Sequence, residues 1–278
     1  MDDFAGRVAL ITGGARGQGR THALALAERG ADIVICDRCA DSPSVPYPLA
    51  TPEDLAETER LVTERGRRCI AVQANTADHA AMVDLVARAN AELGSVDIAI
   101  ANAGVSVADS VVQMSPEVWN EVIASNLTGV FNTLSAVSPG MAERGHGRIV
   151  TVSSMMGRGA NPGLTAYSAS KWGVIGMTKS AALDLAGSGV TVNAVAPGNV
   201  STAMVHNDAL YAIMRPDLDH PTREDVAPIF TMLHGQPVPF LEPEEITHAV
   251  LFLLADASAH ITGTVIPVDA GAAARVSA

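Results

Sequence analysis

Short apolar runs alternate with longer amphipathic stretches along almost the whole chain. The run 8–11, Val-Ala-Leu-Ile, reads as a buried strand. The stretch 18–29 follows with Leu24, Ala25 and Leu26 at helical spacing and Gly30 as its stop. Further strands are expected at 32–36, 69–73, 96–101, 148–152, 191–195 and 264–268. Helices are expected at 79–92, from Ser115-Pro116-Glu117 through Trp119, Ile123, Asn126 and Val130 to Leu134, and at 165–186 and 243–254. Strands alternating with helices predict a doubly wound α/β fold, a parallel sheet of about seven strands with helices on both faces. No linker or shift in composition interrupts the pattern, so 1–278 reads as one domain.

Two segments break the rhythm. Thr51 is a helix N-cap, with Pro52 at the first helical position and Glu53 and Asp54 facing the positive dipole end. The connection before that cap, an insertion at about 38–51, is long where such connections usually run about 2–6 residues. Pro43, Pro46 and Pro48 stiffen it, which suits an ordered flap, while a surface insertion without a role fits equally well. The second break, 199–242, is rich in proline and histidine and scatters Met204, Tyr211, Met214, Phe230, Met232 and Phe240. By elimination it is the segment that covers substrate.

Composition narrows the setting. Apolar residues make up 48% of the chain, charged residues 17%, and mean hydropathy is +0.23, as in a well-packed globular protein. A formal net charge of −12 argues against nucleic acid or an anionic membrane as partner. No apolar run approaches the length of a membrane span, and the acidic start Met1-Asp2-Asp3 lacks the basic opening of a secretion signal. Three cysteines cannot form a paired framework, which points to a reducing cytoplasm. Cys36-Asp-Arg-Cys39 has no second pair at ligand spacing, so it reads as a core cysteine plus a loop cysteine. The eight histidines show no ligand pattern, and no metal is expected.

The first strand–helix junction is Thr12-Gly13-Gly14-Ala15-Arg16-Gly17-Gln18-Gly19. Such a turn lets a phosphate approach the backbone, and the helix N-terminus offers it unpaired N–H groups. The spacing Gly13, Gly17, Gly19 is not the common G-x-G-x-x-G fingerprint, so alone it fits any flexible turn. Asp37 closes the second strand 18 residues past Gly19, near where a dinucleotide fold places the carboxylate that accepts from the ribose hydroxyls. A carboxylate there repels a 2′-phosphate and favours NAD. Arg38 beside it is the counterweight, since an arginine accommodates that phosphate.

Tyr167-Ser-Ala-Ser-Lys171 sets a phenol and an ammonium four residues apart on one helix face. A phenol with an ordinary pKa of about 10 needs cations nearby to act as a base near neutrality. Lys171 supplies one and an oxidised nicotinamide another. Ser154, 13 residues before Tyr167, could hold a carbinol or carbonyl oxygen beside it. Each part alone has an ordinary explanation in packing, solvation or strand capping; the combination is far more specific.

With Thr12-Gly13…Gly17-Gln18-Gly19, Asn102-Ala103-Gly104, Asn126, Ser154, Tyr167…Lys171 and Pro197-Gly198, the chain resembles the short-chain dehydrogenase/reductase family over nearly its whole length. The resemblance implies a Rossmann-like fold and NAD as cofactor. It implies Tyr167 as general acid/base and Ser154 as the group that positions the substrate oxygen. Lys171 would bind the nicotinamide ribose and depress the Tyr167 pKa, and Asn126 would hold a water that relays protons from Lys171. Gly13, Arg16, Gly17, Gln18, Gly19, Asp37, Arg38, Asn102, Ala103, Gly104, Pro197, Gly198 and Val200 would surround the cofactor, with Thr202 at its carboxamide or phosphate. Asn75, followed by Thr76, stands where many relatives have an aspartate against adenine. The insertion, with its Val45-Pro-Tyr-Pro-Leu-Ala-Thr-Pro run, is similar to that of the mycofactocin-coupled group, which includes carveol dehydrogenases. In that group the insertion is thought to cover NAD so that it does not exchange, electrons leaving through a separate mycofactocin-type redox carrier. A homotetramer is also implied.

These readings make the chain an NAD-dependent oxidoreductase for a secondary alcohol and its ketone. The substrate is expected to be apolar, because Met155, Met156, Met204, Met214 and Met232 can flank an adaptable pocket, with Tyr211 beside them. The alternatives are a non-catalytic NAD sensor or scaffold on the same fold, and a sugar-nucleotide epimerase or dehydratase. The intact Ser154, Tyr167, Lys171 and Asn126 set argues against the first, and the lack of a separate substrate domain against the second.

Overall fold

The computed structural model describes residues 3–275; Met1 and Asp2 of the acidic start lie outside the described residues. Seven strands form one parallel sheet: β1 (Val8–Thr12), β2 (Asp32–Asp37), β3 (Cys69–Gln73), β4 (Val96–Ala101), β5 (Gly147–Val152), β6 (Val190–Pro197) and β7 (Val265–Val268). Their order is β3-β2-β1-β4-β5-β6-β7, so the chain reverses direction across the sheet between β1 and β4. Leu10 stands opposite Val34 of β2 on one side and Ala99 of β4 on the other.

Alternate residues of each strand feed two cores. Ala9, Ile11, Ile33 and Ile35 face one layer, where they meet Leu26 of α1 (Gly17–Ala27), Leu55 and Val62 of α2 (Pro52–Glu64), and Ile246 and Val250 of α9 (Pro243–Leu254). Leu10, Val34 and Cys36 face the other. There they meet Met82 and Leu85 of α3 (His79–Glu92), Leu134 and Met141 of α5 (Gly129–Arg144), and Val174 of α6 (Thr165–Asp184). Each such side chain contributes about 1.5–3 kcal/mol when fully buried, and the double-sided burial explains why the strands read as unbroken apolar runs.

The long helix expected from Ser115 is two helices joined without a break. α4 (Pro116–Ile123) passes through a π turn at Ala124–Thr128 into α5. One extra residue in that turn re-aims the side chains around Asn126. The segment 199–242 is not irregular throughout. It holds α7 (Asp208–Met214), capped by Asn207, and α8 (Arg223–Leu233), opened by a Thr222–Asp225 capping box. Thr51 caps α2 as expected, and the cap is a reciprocal box, with Thr51 Oγ1 accepting from Asp54 N and Asp54 Oδ2 from Thr51 N. Among the described residues, no helix is long and apolar enough to cross a membrane.

Candidate active site

At the carboxyl ends of the strands, where the order reverses, lies a cavity of about 540 Å³. Its floor is the glycine turn. Gly13 and Gly17 adopt φ of +66° and +54°, and a Cβ on Gly13 would stand 2.9 Å from Ala103 Cα. Gly19 does not line the cavity; it lies beneath, where a Cβ would meet the Gly13 carbonyl at 2.0 Å. Thr12 Oγ1 accepts from Asn102 N and Ala103 N at 3.0 and 3.1 Å, while Asn102 Nδ2 donates to Thr12 O at 2.9 Å. The two turns are thus stitched into one rigid cradle. Arg16 is the N-cap of α1 without any side-chain cap bond, and the first turn holds no acidic residue. Its N–H groups therefore suit an anion beside a backbone that glycine leaves open.

Asp37 and Arg38 line the next part of the wall, with Asn75 and Thr76 nearby. Burial raises the Asp37 carboxyl, against hydrogen bonds from Cys39 N and Ala15 N and the charge of Arg16. Arg38 turns to α4: its Nη1 donates to Glu121 Oε1 at 2.6 Å and its Nε to Ala40 O at 3.0 Å. Glu121 also accepts from Ser42 Oγ at 2.8 Å and Ser125 Oγ at 3.0 Å. Burial pushes this carboxyl up, but the three donors outweigh it and hold it below its ordinary value.

The insertion packs as an ordered strap. Tyr47, Leu49 and Ala50 line the cavity. Val45, Tyr47 and Leu49 share a buried cluster with Val105, Val107, Val122 and Ala166, and Tyr167 and Met204 pack against it. The strap is fixed at both margins: Arg16 Nη2 donates to Pro48 O at 2.6 Å, and Ser106 N donates to Tyr47 Oη at 3.0 Å. Cys39 lies in the loop two residues past Asp37, as expected, at φ +49°, with its side chain packed into the core. Burial raises all three thiols, Cys39 to about 11 and Cys69 to about 12, so none is a thiolate near neutrality.

Across the cavity, Ser154 follows β5 and Tyr167 and Lys171 share one face of α6. A hydrogen bond from Ser154 lowers the Tyr167 phenol, but burial raises it further, so the net shift is upward. Lys171 Nζ is 5.7 Å from the Tyr167 ring centroid and donates to Val152 O at 2.8 Å; burial pushes its ammonium down to about 8. The expected depression of the phenol by Lys171 is thus not a feature of the protein alone. Asn126 is fully buried behind this group. Its Oδ1 accepts from Val105 N at 2.8 Å, and its Nδ2 donates to Val105 O and Ser170 Oγ. The side chain is thus engaged at both ends.

Pro197, which ends β6, leads through Gly198, Val200 and Thr202 into the same wall, and Met155, Met156, Met204 and Met214 also line it. Two residues expected near the substrate do not line the cavity. Tyr211 lies outside the wall, its hydroxyl 2.6 Å from His206 Nδ1 and its ring buried with Val226 and Phe230. Met232 is 66% exposed on the outer side of α8 and does not line the cavity. Sequence reasoning missed Tyr47, Glu121, Asn161, Leu164, Leu210 and Leu233. The prolines on both sides of Tyr47 were a usable signal.

Comparison with known proteins agrees with this geometry. Residues 7–210 match the family described as short chain dehydrogenase. The (-)-trans-carveol dehydrogenase of Rhodococcus erythropolis is 42% identical over 269 residues, covering 96% of this chain and 97% of its own. A carveol dehydrogenase from Mycobacterium avium, solved in complex with NAD, superposes with a TM-score of 0.96 at 44% identity, over 98% of this chain and 99% of that one. A short chain dehydrogenase from Mycobacterium paratuberculosis, bound to NAD, gives 0.90 at 37% identity over the same shares. The chain belongs to the short-chain dehydrogenase/reductase family.

Proposed function

We propose that this protein is an NAD-dependent oxidoreductase that interconverts an apolar secondary alcohol and its ketone. The observation that carries this reading is the Ser154–Tyr167 pair in the wall of the cavity floored by Gly13 and Gly17. The NAD complexes among the solved relatives and the carveol dehydrogenases support the same cofactor and reaction. A non-catalytic NAD sensor would have no use for that pair beside Lys171.

Gly13, Gly17 and the free N–H groups of α1 would hold the diphosphate, Asp37 the adenosine ribose, and Asn75 with Thr76 the adenine edge. Lys171 would hold the nicotinamide ribose, with Val200 and Thr202 at the carboxamide end. Bound NAD supplies the hydride acceptor at its nicotinamide ring. Ser154 holds the carbinol oxygen, and Tyr167 takes the hydroxyl proton as the carbon–hydrogen bond breaks and the carbonyl forms. In the reverse direction Tyr167 returns that proton. Because burial alone raises the phenol, its action as a base depends on positive charge brought close, which Lys171 and an oxidised nicotinamide provide together. Asn126 would hold a water that relays the proton onward from Lys171.

The methionines, with Phe230 and Leu233, make the substrate end apolar and adaptable. The strap closes over the cofactor end, so NAD is held through turnover and its electrons leave by a mycofactocin-type carrier. A homotetramer in the cytoplasm completes the reading. Native mass spectrometry of protein purified without added cofactor, paired with turnover of simple alcohols with an artificial acceptor, tests it. Wild type and Tyr167→Phe should both carry NAD, and only wild type should turn over. Full activity in Tyr167→Phe overturns the mechanism, and protein that exchanges NAD freely overturns the closed strap.

A further inference from the structure

Two guanidinium groups of the adenosine wall have chemistry that opposes NAD: Arg16, which gives Nη2 to Pro48 O of the strap, and Arg38. Arg38 follows Asp37 directly and lines the cavity, where a guanidinium could meet a 2′-phosphate with paired, charge-assisted hydrogen bonds. Yet that guanidinium is committed elsewhere. Glu121, 83 positions away on α4, takes Nη1 at 2.6 Å, Ala40 O takes Nε at 3.0 Å, and both side chains of the pair are only about one-fifth exposed. The main chain of Arg38 is pinned too, its carbonyl accepting from Gln73 Nε2 at 3.0 Å. Glu121 is itself oriented by Ser42 of the strap and Ser125 of the π turn, so the carboxylate cannot swing away without breaking three bonds.

We propose that Glu121 is a specificity-determining residue acting through Arg38: it holds the guanidinium away from the ribose 2′ position and so secures NAD against NADP. The inference rests on the reading of the cavity as an NAD site. Asp37 supplies the repulsion and Glu121 removes the compensation that Arg38 would otherwise give. Neither does both. A carboxylate on α4, remote in sequence from the ribose site, thereby decides how the residue next to Asp37 is used.

The test compares wild type, Glu121→Ala, Glu121→Gln and the double variant Arg38→Ala/Glu121→Ala. Each is first stripped of the nucleotide it carries from purification by reversible unfolding, refolded in equimolar NAD and NADP, and the bound nucleotides are read by native mass spectrometry. Glu121→Ala should raise the bound NADP:NAD ratio about tenfold, the worth of one modest charge-assisted contact. Glu121→Gln, which keeps the shape and an acceptor for Ser42 but loses the charge, should raise it less. The double variant should return to the wild-type ratio, because the gain needs the freed guanidinium. A merely structural role would weaken both nucleotides together and leave the ratio unmoved. An unchanged ratio in both single variants, or a gain that survives loss of Arg38, overturns the proposal. Wild type that binds neither nucleotide overturns the NAD reading on which it rests, a result distinct from either.

Discussion

Thr247 gives its hydroxyl proton to Pro243 O at 3.0 Å, so toward His22 it can only accept. The 2.7 Å contact between them therefore runs from the imidazole Nδ1–H, and Nε2 is left buried with no partner among the described residues. Burial pushes this histidine down to about 3 from 6.5. The unfolded chain takes up a proton near 6.5 while the folded one resists until about 3, so the stability it contributes is present above 6.5 and lost as pH falls toward 3. His22→Asn keeps an N–H for Thr247 and cannot charge. It should flatten the loss of urea stability across that window, and an unchanged slope would count against the assignment. Residues whose partners lie close in sequence were legible in this way. Ser154, Tyr167 and Lys171 announce themselves by spacing, and Asp37 by its distance from the glycine turn. Glu121 and Tyr47 did not, because Arg38 and Ser106 lie 83 and 59 positions from them. Tyr211, expected beside the substrate, packs in the core of the covering segment, where His206 shares its hydroxyl, and a scattered aromatic gives no sequence signal for which side it takes.

Gly19 of α1 and Gly176 of α6 are both helical, and their neighbours give them opposite meanings. A Cβ at Gly19 would overlap the Gly13 carbonyl, whereas one at Gly176 meets nothing within 4 Å. Gly19→Ala should therefore cost at least about 1–3 kcal/mol by overpacking and spoil nucleotide binding by prising open the turn. Gly176→Ala should stabilise by about 0.5–1 kcal/mol, because it only removes backbone freedom from the unfolded chain. Urea unfolding of both checks this: a neutral Gly19→Ala or a destabilised Gly176→Ala contradicts the packing described. At this scale the sequence was most readable where burial imposes a period, as in β1, β2, α3 and α9. The π turn at Ala124–Thr128 was invisible, since one inserted residue barely disturbs the apolar spacing. α8 could have been found, because Thr222-Arg-Glu-Asp225 is a capping box in plain view. α7 is seven residues long and held by packing of Tyr211 and Leu210 more than by its own pattern.

Strand–helix alternation sufficed to foresee a parallel sheet, but the order of its strands is a property of the folded molecule. Only that order brings Gly13, Asn102, Ser154 and Gly198, from four separate strand ends, around one cavity. The strap then adds Tyr47 and Leu49 to the cofactor end, while α7 and α8 add Met214, Phe230 and Leu233 to the apolar end. The central claim is that nucleotide and alcohol meet within this single cavity and that hydride passes directly between them. A secondary alcohol deuterated at its carbinol carbon tests that claim in one turnover, with the cofactor recovered from the protein and weighed by mass spectrometry. The account predicts reduced NAD carrying one deuterium from the alcohol. Reduced NAD without deuterium, or ketone formed while NAD stays unreduced throughout, would contradict it.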